Sequence, residues 1–137
     1  MKVKESSLWK WLAKLRLTES KLWIGRIENT AGKGMPDVIG CYKGKMFFIE
    51  LKTCNLPKRH TSHPGFKVED SQREWHEDWQ MSGGTSWFLI QMGKGRYLLR
   101  PDMALSPDLT VGKVRMHTVV PPQCTQLHIL RVVTNNA

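Results

Sequence analysis

Two carboxylates and a lysine, Asp37, Glu50 and Lys52, stand at spacings that a pair of β-strands brings together. Asp37 follows Pro36 at the head of a short apolar run of Val38, Ile39, Cys41 and Tyr42. Lys43-Gly44 supplies a turn, and Lys45 to Thr53 reads as a second strand. Successive side chains of a strand point to opposite faces. Glu50 and Lys52 therefore project together, on the face of Met46 and Phe48, while Phe47, Ile49 and Leu51 take the other. Apolar on both faces at its start and polar at its end, this is a buried central strand that ends in chemistry. The hairpin can fold Asp37 back toward Glu50. Two carboxylates meeting in a partly buried place repel unless a cation lies between them. Hard oxygen ligands favour Mg²⁺ or Mn²⁺, and Mg²⁺ takes one or two protein carboxylates and completes its shell with water and substrate phosphate. A neighbouring lysine can orient a water or offset charge building on a phosphate.

Other elements must hold this group in place. From about Lys4 to Leu17, Leu8, Trp11, Leu12 and Leu15 recur at helical spacing, with Cys41 of the later strand expected in the core they cover. Glu5 sits at the edge of that buried face and can point into the interior; an acid near a helix N-terminus is also favourable with no further role. Leu22 to Glu28 reads as a strand, with Glu28 at its end a rival acid. Asn29 to Gly34 is glycine-rich, carries Lys33, and leads into Pro36-Asp37. Its backbone N–H groups can approach a phosphate, or it simply connects. The stretch from Cys54 to Phe66, with Lys58, Arg59, His60 and His63, reads as an exposed basic loop suited to phosphate contacts. Zinc through Cys54, His60 and His63 is set aside because a fourth ligand is missing. Glu69 to Met81 predicts a second helix, with Asp70 or Ser71 as N-cap and Gly83-Gly84 as its stop. Gln72, Trp75 and Trp79 share one face of it: the tryptophans pack on the sheet, and Gln72 can reach the end of the Glu50 strand. His76 reads as a surface or satisfied histidine. Trp87 to Met92 and Tyr97 to Leu99 are further strands, with Lys94, Arg96 and Arg100 adding charge. The expected architecture is α/β, a mixed sheet of about five strands flanked by helices. Beyond Pro101 the pattern weakens: Val111 to Val120 reads as a strand and Thr125 to Val133 as helix or strand, closing the core or forming a dimer face.

The ordered set Pro-Asp, hairpin, Glu-x-Lys resembles the PD-(D/E)xK metal-dependent nuclease superfamily. The run from Asn29 to Gly40, then Phe48-Ile49-Glu50-Leu51-Lys52 and Ser71-Gln72, resembles its small VRR-NUC branch, over about residues 5 to 92. The resemblance implies a restriction-endonuclease-like core and a Mg²⁺ site, with Mn²⁺ substituting, held by Asp37, Glu50, the Leu51 carbonyl and Glu5. It also implies Lys52 and Gln72 in catalytic roles beside Asp37 and Glu50. It points to structure-selective DNA cleavage at four-way junctions, flaps or nicks, where a junction resolvase would be a homodimer. DNA contacts are expected from Lys33, Lys58, Arg59, Lys94 and Arg96.

Composition bounds the alternatives. The 137 residues are enough for one domain with a real core, here a core of about residues 5 to 100 and an extension of about 101 to 137. Lys and Arg number 21 against 12 acids, a net charge of +9 that favours a polyanion. No long apolar segment, signal peptide or basic amphipathic helix argues for a membrane. Three cysteines without close spacing suit reduced thiols in a cytoplasm, of a prokaryote or a phage-infected host cell. A binding module with the same fold and no chemistry would carry the same charge, but it has no need of two carboxylates that repel DNA. An interaction subunit built on the apolar tail would have no DNA affinity.

Overall fold

A ten-residue strand organises the molecule. The computed structural model describes residues 3–28 and 33–135. Its elements are α1 (Glu5–Ala13) with a 3₁₀ turn (Lys14–Leu17), β1 (Leu22–Arg26), β2 (Val38–Tyr42), β3 (Lys45–Cys54), α2 (Asp70–Met81), β4 (Trp87–Met92), β5 (Gly95–Leu99), α3 (Pro101–Ala104), α4 (Val111–His117) and α5 (Gln126–Thr134). The five strands form one mixed sheet in the order β1-β2-β3-β4-β5, antiparallel throughout except for the parallel pair β3 and β4. That parallel pair needs a crossover, and α2 supplies it. The architecture is the α/β one expected: a five-stranded mixed sheet between helices.

The sheet is staggered. The lower half of β3 pairs with β2 (Val38 opposite Ile49), and its upper half with β4 (Ile49 opposite Trp87, Cys54 opposite Met92). Side chains directly opposite share a face, so the register defines two layers. On one face Val38, Phe47, Ile49, Leu51, Leu89 and Leu98 pack with Leu8, Leu12 and Leu15 near the N-terminus and Ile129, Leu130 and Val133 of α5. On the other, Phe88, Ile90, Met92, Tyr97 and Leu99 pack with Phe66, α3 and α4, while Trp75 and Trp79 of α2 meet Phe48 edge-on at 5.2 Å each. Gly40 is required by this packing: it lies opposite Phe47, whose ring occupies the space a Cβ would need.

Several expectations are corrected. Cys41 is exposed, because its row, Trp23, Cys41 and Met46, lies on a part of the sheet that no helix among the described residues covers. Val111 to Val120 is not a strand: Thr110 caps α4 by accepting from the Lys113 N–H, and the helix stops at Thr118. Thr125 to Val133, for which helix and strand both stood open, is helical and closes the core, capped by Thr125 accepting from the His128 N–H. Glu69, rather than Asp70 or Ser71, caps α2, in a reciprocal box with Gln72. Among the described residues, no helix is long and apolar enough to cross a membrane.

Candidate active site

The site forms where β2 runs out and β3 continues. Beyond Val38 the upper half of β3 has no β2 backbone beside it, and the Asp37 side chain replaces the missing ladder: its Oδ2 accepts from the Leu51 N–H at 2.8 Å. That bond fixes Asp37 against the strand that carries Glu50 and Lys52. Pro36 is buried ahead of it, and the Asp37 carbonyl accepts from Ile27 N–H at 2.7 Å, so the backbone is held from both sides.

Glu50 has no exposed surface. Its Oε1 lies 3.2 Å from His76 Nε2, and its Oε2 accepts from Gln72 Nε2 at 3.3 Å. Burial pushes the Glu50 carboxyl up to about 10, helped by its hydrogen bond with Asp37 and by the Asp37 charge. Lys52 offsets this in part, while the Glu5 charge adds to it. His76 is also fully buried, and burial, then the Lys52 charge, lowers it to about 4. Both shifts favour the uncharged forms at neutral pH, which makes their contact a neutral hydrogen bond rather than an ion pair. The other ring nitrogen of His76, Nδ1, is 2.7 Å from Ser86 Oγ.

Gln72 joins the two strand residues. Its Oε1 accepts from Lys52 Nζ at 2.9 Å and from the Glu69 N–H at 3.0 Å, while its Nε2 donates to Glu50. Lys52 Nζ also donates to the Lys67 carbonyl at 2.7 Å, so two acceptors fix the position of a nearly buried side chain. In front of Asp37 lies a cleft of about 450 Å³ lined by Lys33, Gly34, Met35, Glu69, Ser71 and Gln72. Gly34 adopts a positive φ of 86° with the Ser71 carbonyl oxygen where a Cβ would be, so the loop presses directly onto the start of α2.

The chain shares its fold with a solved Holliday junction resolvase. The structure of Hjc, a Holliday junction resolvase from the archaeal hyperthermophile Archaeoglobus fulgidus, is similar at a TM-score of 0.55, over 85% of this chain and 96% of that one. The two sequences are 10% identical, so the likeness is one of fold. No family model and no curated protein sequence matches the chain.

Within this fold the donor set suits a hard divalent cation. Among the described residues no three His, Cys, Asp or Glu side chains form a ready-made cage, but Mg²⁺ asks for only one or two carboxylates. Asp37 hydrogen-bonds Glu50, and its charge adds to burial in raising the cost of ionising Glu50, the condition a cation relieves. Of the two upstream acids, Glu5 is half-buried and its charge reaches Glu50, whereas Glu28 is exposed past the end of β1.

The expected DNA contacts divide. Lys33 is exposed beside the cleft, and Lys58, Arg59 and Lys94 are exposed on loops. Arg96 is not at this site: opposite Gln91 on the α1 face, its guanidinium stacks 4.0 Å from the centre of the Trp11 ring. Asn29 to Gly32 of the glycine-rich loop lie outside the described residues. His76 and Ser86 are the members of the site that sequence reasoning missed. Position on the Gln72 helix, one turn on, was the available signal for His76; nothing local marked Ser86.

Proposed function

We propose that the chain is a divalent-metal-dependent endonuclease that hydrolyses phosphodiester bonds in branched, flapped or nicked DNA. The observation that carries this reading is the meeting of Asp37, Glu50 and Lys52 at one strand junction, with Asp37 held by the Leu51 N–H and the other two joined by Gln72. Asp37 and Glu50, with the Leu51 carbonyl, are the groups to hold Mg²⁺ or Mn²⁺, which when bound would polarise a phosphate oxygen and lower the pKa of a water, and Glu5 stands near enough to add its charge. A DNA-binding module without chemistry would gain nothing from a carboxylate pair buried at such cost.

The remaining roles belong to the chain's own residues. Lys52 stands ready to orient the attacking water or to stabilise the charge that develops on the phosphorane. Gln72 fixes the Lys52 ammonium through its carbonyl and the Glu50 carboxyl through its amide, so both keep one geometry as the substrate enters. His76 and Ser86 hold Glu50 from behind, where water is shut out. Lys33, Lys58 and Arg59 supply attraction for the DNA backbone. The fold shared with a Holliday junction resolvase supports a four-way junction as substrate, and two cuts on such a junction go with a homodimer.

The test is cleavage of labelled four-way junction, 5′-flap, nicked and plain duplex DNA with Mg²⁺, Mn²⁺ or chelator, using Glu50→Ala as the blank. Metal-dependent cutting of branched or nicked DNA that Glu50→Ala lacks is the expected result. Salt-sensitive binding without cutting in any metal would replace this reading with that of a binding module.

A further inference from the structure

Behind the sheet from Glu50 lies a cationic recess of about 700 Å³, lined by Thr85, Trp87, Arg100, His128, Arg131 and Asn135 together with two valines of α5. Trp87 is opposite Ile49 in the β3–β4 register and packs with the α1 and α5 face, whereas Glu50, the next residue, turns to the other. The two sites are therefore one strand apart in the sheet but open on opposite faces.

The composition of the recess selects its ligand. Arg100 follows β5 directly, and His128 and Arg131 are three apart on α5, hence on one side of that helix. Among the described residues, no acidic side chain lines the recess. Neither Arg100 nor Arg131 has a side-chain hydrogen bond or ion pair with another described residue, although Arg16 and Arg73 each bond a backbone carbonyl. The Arg100 guanidinium is instead seated on the Trp87 ring, 4.7 Å from its centre. Trp87 itself is 6% exposed, and its indole Nε1–H is closed off from solvent with no acceptor among the described residues. Two guanidinium forks without a hydrogen-bonding partner and an imidazole in one concavity, with no acid beside them among the described residues, match the oxygens of a phosphate group better than any neutral ligand.

We propose that this recess binds a backbone phosphate of a second DNA arm while the first arm lies at the Asp37–Glu50 face. The proposal rests on the nuclease reading only for the source of the phosphate. A straight duplex is too stiff, with a persistence length of about 150 base pairs, to bend around a small sheet and touch both of its faces. A branch, flap or sharp kink brings two arms to the two faces without that cost. The recess thereby gives the chain a means of preferring branched over linear DNA that needs no base contact.

The experiment measures affinity without cleavage, in chelator, for a four-way junction, a 5′-flap and a linear duplex of equal length over a range of salt. Wild type is compared with Arg100→Ala/Arg131→Ala and with Arg100→Lys/Arg131→Lys. The alanine pair is expected to weaken branched DNA about tenfold, to reduce the magnitude of its salt slope by about one, for the one phosphate no longer neutralised, and to leave linear duplex unchanged. The lysine pair is expected to recover most of the affinity. In parallel, the Trp87 indole N–H resonance, assigned with Trp87→Phe, is followed as junction DNA or inorganic phosphate is added; a shift with the junction that the alanine pair lacks supports the site. Equal weakening of branched and linear DNA would overturn the second-arm assignment. A Trp87 shift with inorganic phosphate, and no change in DNA affinity, would make this a site for a small phosphate compound and overturn the DNA source. No shift and no weakening would overturn the site altogether. None of these readouts depends on metal or cutting, so a chain that fails to cleave but passes here loses the nuclease reading alone.

Discussion

His76 places Nε2 3.2 Å from Oε1 of Glu50, and neither side chain reaches solvent. The pair therefore titrates at the expense of folding. Glu50 sits at about 10 in the fold against an ordinary 4.5, so its contribution to stability is complete below about 4.5 and drains away as pH rises toward about 10. His76, lowered from 6.5 to about 4, does the reverse: its contribution is complete above about 6.5 and is lost as pH falls toward about 4. Between 4.5 and 6.5 the two slopes oppose each other. In chelator, the urea midpoint should fall between neutral and alkaline pH, by at most about 1.4 kcal/mol of stability per pH unit from Glu50. Glu50→Gln should remove that alkaline fall, and His76→Gln should reduce the acid one. A wild-type profile parallel to that of Glu50→Gln above pH 7 would mean that Glu50 is ionised in the fold.

Adding Mg²⁺ or Mn²⁺ should act on the same proton. A cation between Asp37 and Glu50 stabilises the ionised carboxyl, so the stabilisation by a fixed metal concentration should grow with pH and binding should release a proton. Thermal melts with and without metal, and calorimetry in two buffers of different ionisation enthalpy, measure both. Glu50→Gln and Asp37→Asn should abolish the effect. Glu5→Gln should weaken it and Glu28→Gln leave it intact; the opposite order would assign the upstream acid to Glu28.

Much of this site was legible because it follows from period-two geometry. The hairpin, the shared face of Glu50 and Lys52, and the helix that brings Gln72 to them depend on turn residues and spacing that are local in the chain. His76 and Ser86 depend instead on how α2 crosses back to β4, ten residues apart in sequence and joined by a tertiary bond. Cys41 misled because an apolar alternation says which residues share a face but not whether a helix covers that part of it. Val111 to Val120 misled because its β-branched residues suit a strand in isolation, whereas the Thr110 cap and the packing of Val111 and Val114 decide for a helix. Arg96 counted as surface charge until the register turned it toward Trp11.

Gln72→Ala should separate positioning from binding. The substitution removes the acceptor from Lys52 Nζ, the donor to Glu50 Oε2 and half of the capping box at Glu69. Cleavage rate should drop about 10- to 100-fold, as for other groups that orient a metal site, with DNA affinity nearly unchanged. Stability should fall by about 1 kcal/mol from the cap. Gln72→Glu keeps the acceptor but loses the amide donor, so it should restore the cap and not the rate. Single-turnover kinetics beside binding isotherms check both, and a loss confined to affinity would assign Gln72 to substrate contact.

The exposed cations should behave differently from the stacked one. Removing Lys58 or Arg59 should weaken DNA binding evenly across sequences and lower the salt slope by about one each, with little effect on folding. Lys33→Ala should do the same and also slow cleavage, because Lys33 lines the cleft at Asp37. Arg96→Ala should leave the slope alone and cost stability, on the order of 1 kcal/mol for a partly buried cation over Trp11. Affinity against log salt, together with urea unfolding, distinguishes the groups; a lower slope for Arg96→Ala would return it to the DNA surface.

Gly34→Ala tests whether the approach of the loop to α2 sets the cleft. An L residue there takes an unfavourable positive φ and drives its Cβ into the Ser71 carbonyl, so either the loop lifts or the first turn of α2 moves. Both responses shift Lys33 relative to Gln72 and loosen the wall in front of Asp37. Stability should fall by about 1–3 kcal/mol, and cleavage should fall by more than that destabilisation explains at temperatures where the variant remains folded. Gly44, also at positive φ but with open space around it, is the control: Gly44→Ala carries the backbone strain without the collision, at the far end of β2 from Asp37. It should lose stability without a matching drop in cleavage. Equal rate losses in the two variants would mean that general destabilisation, and not the meeting of Gly34 with Ser71, governs the cleft.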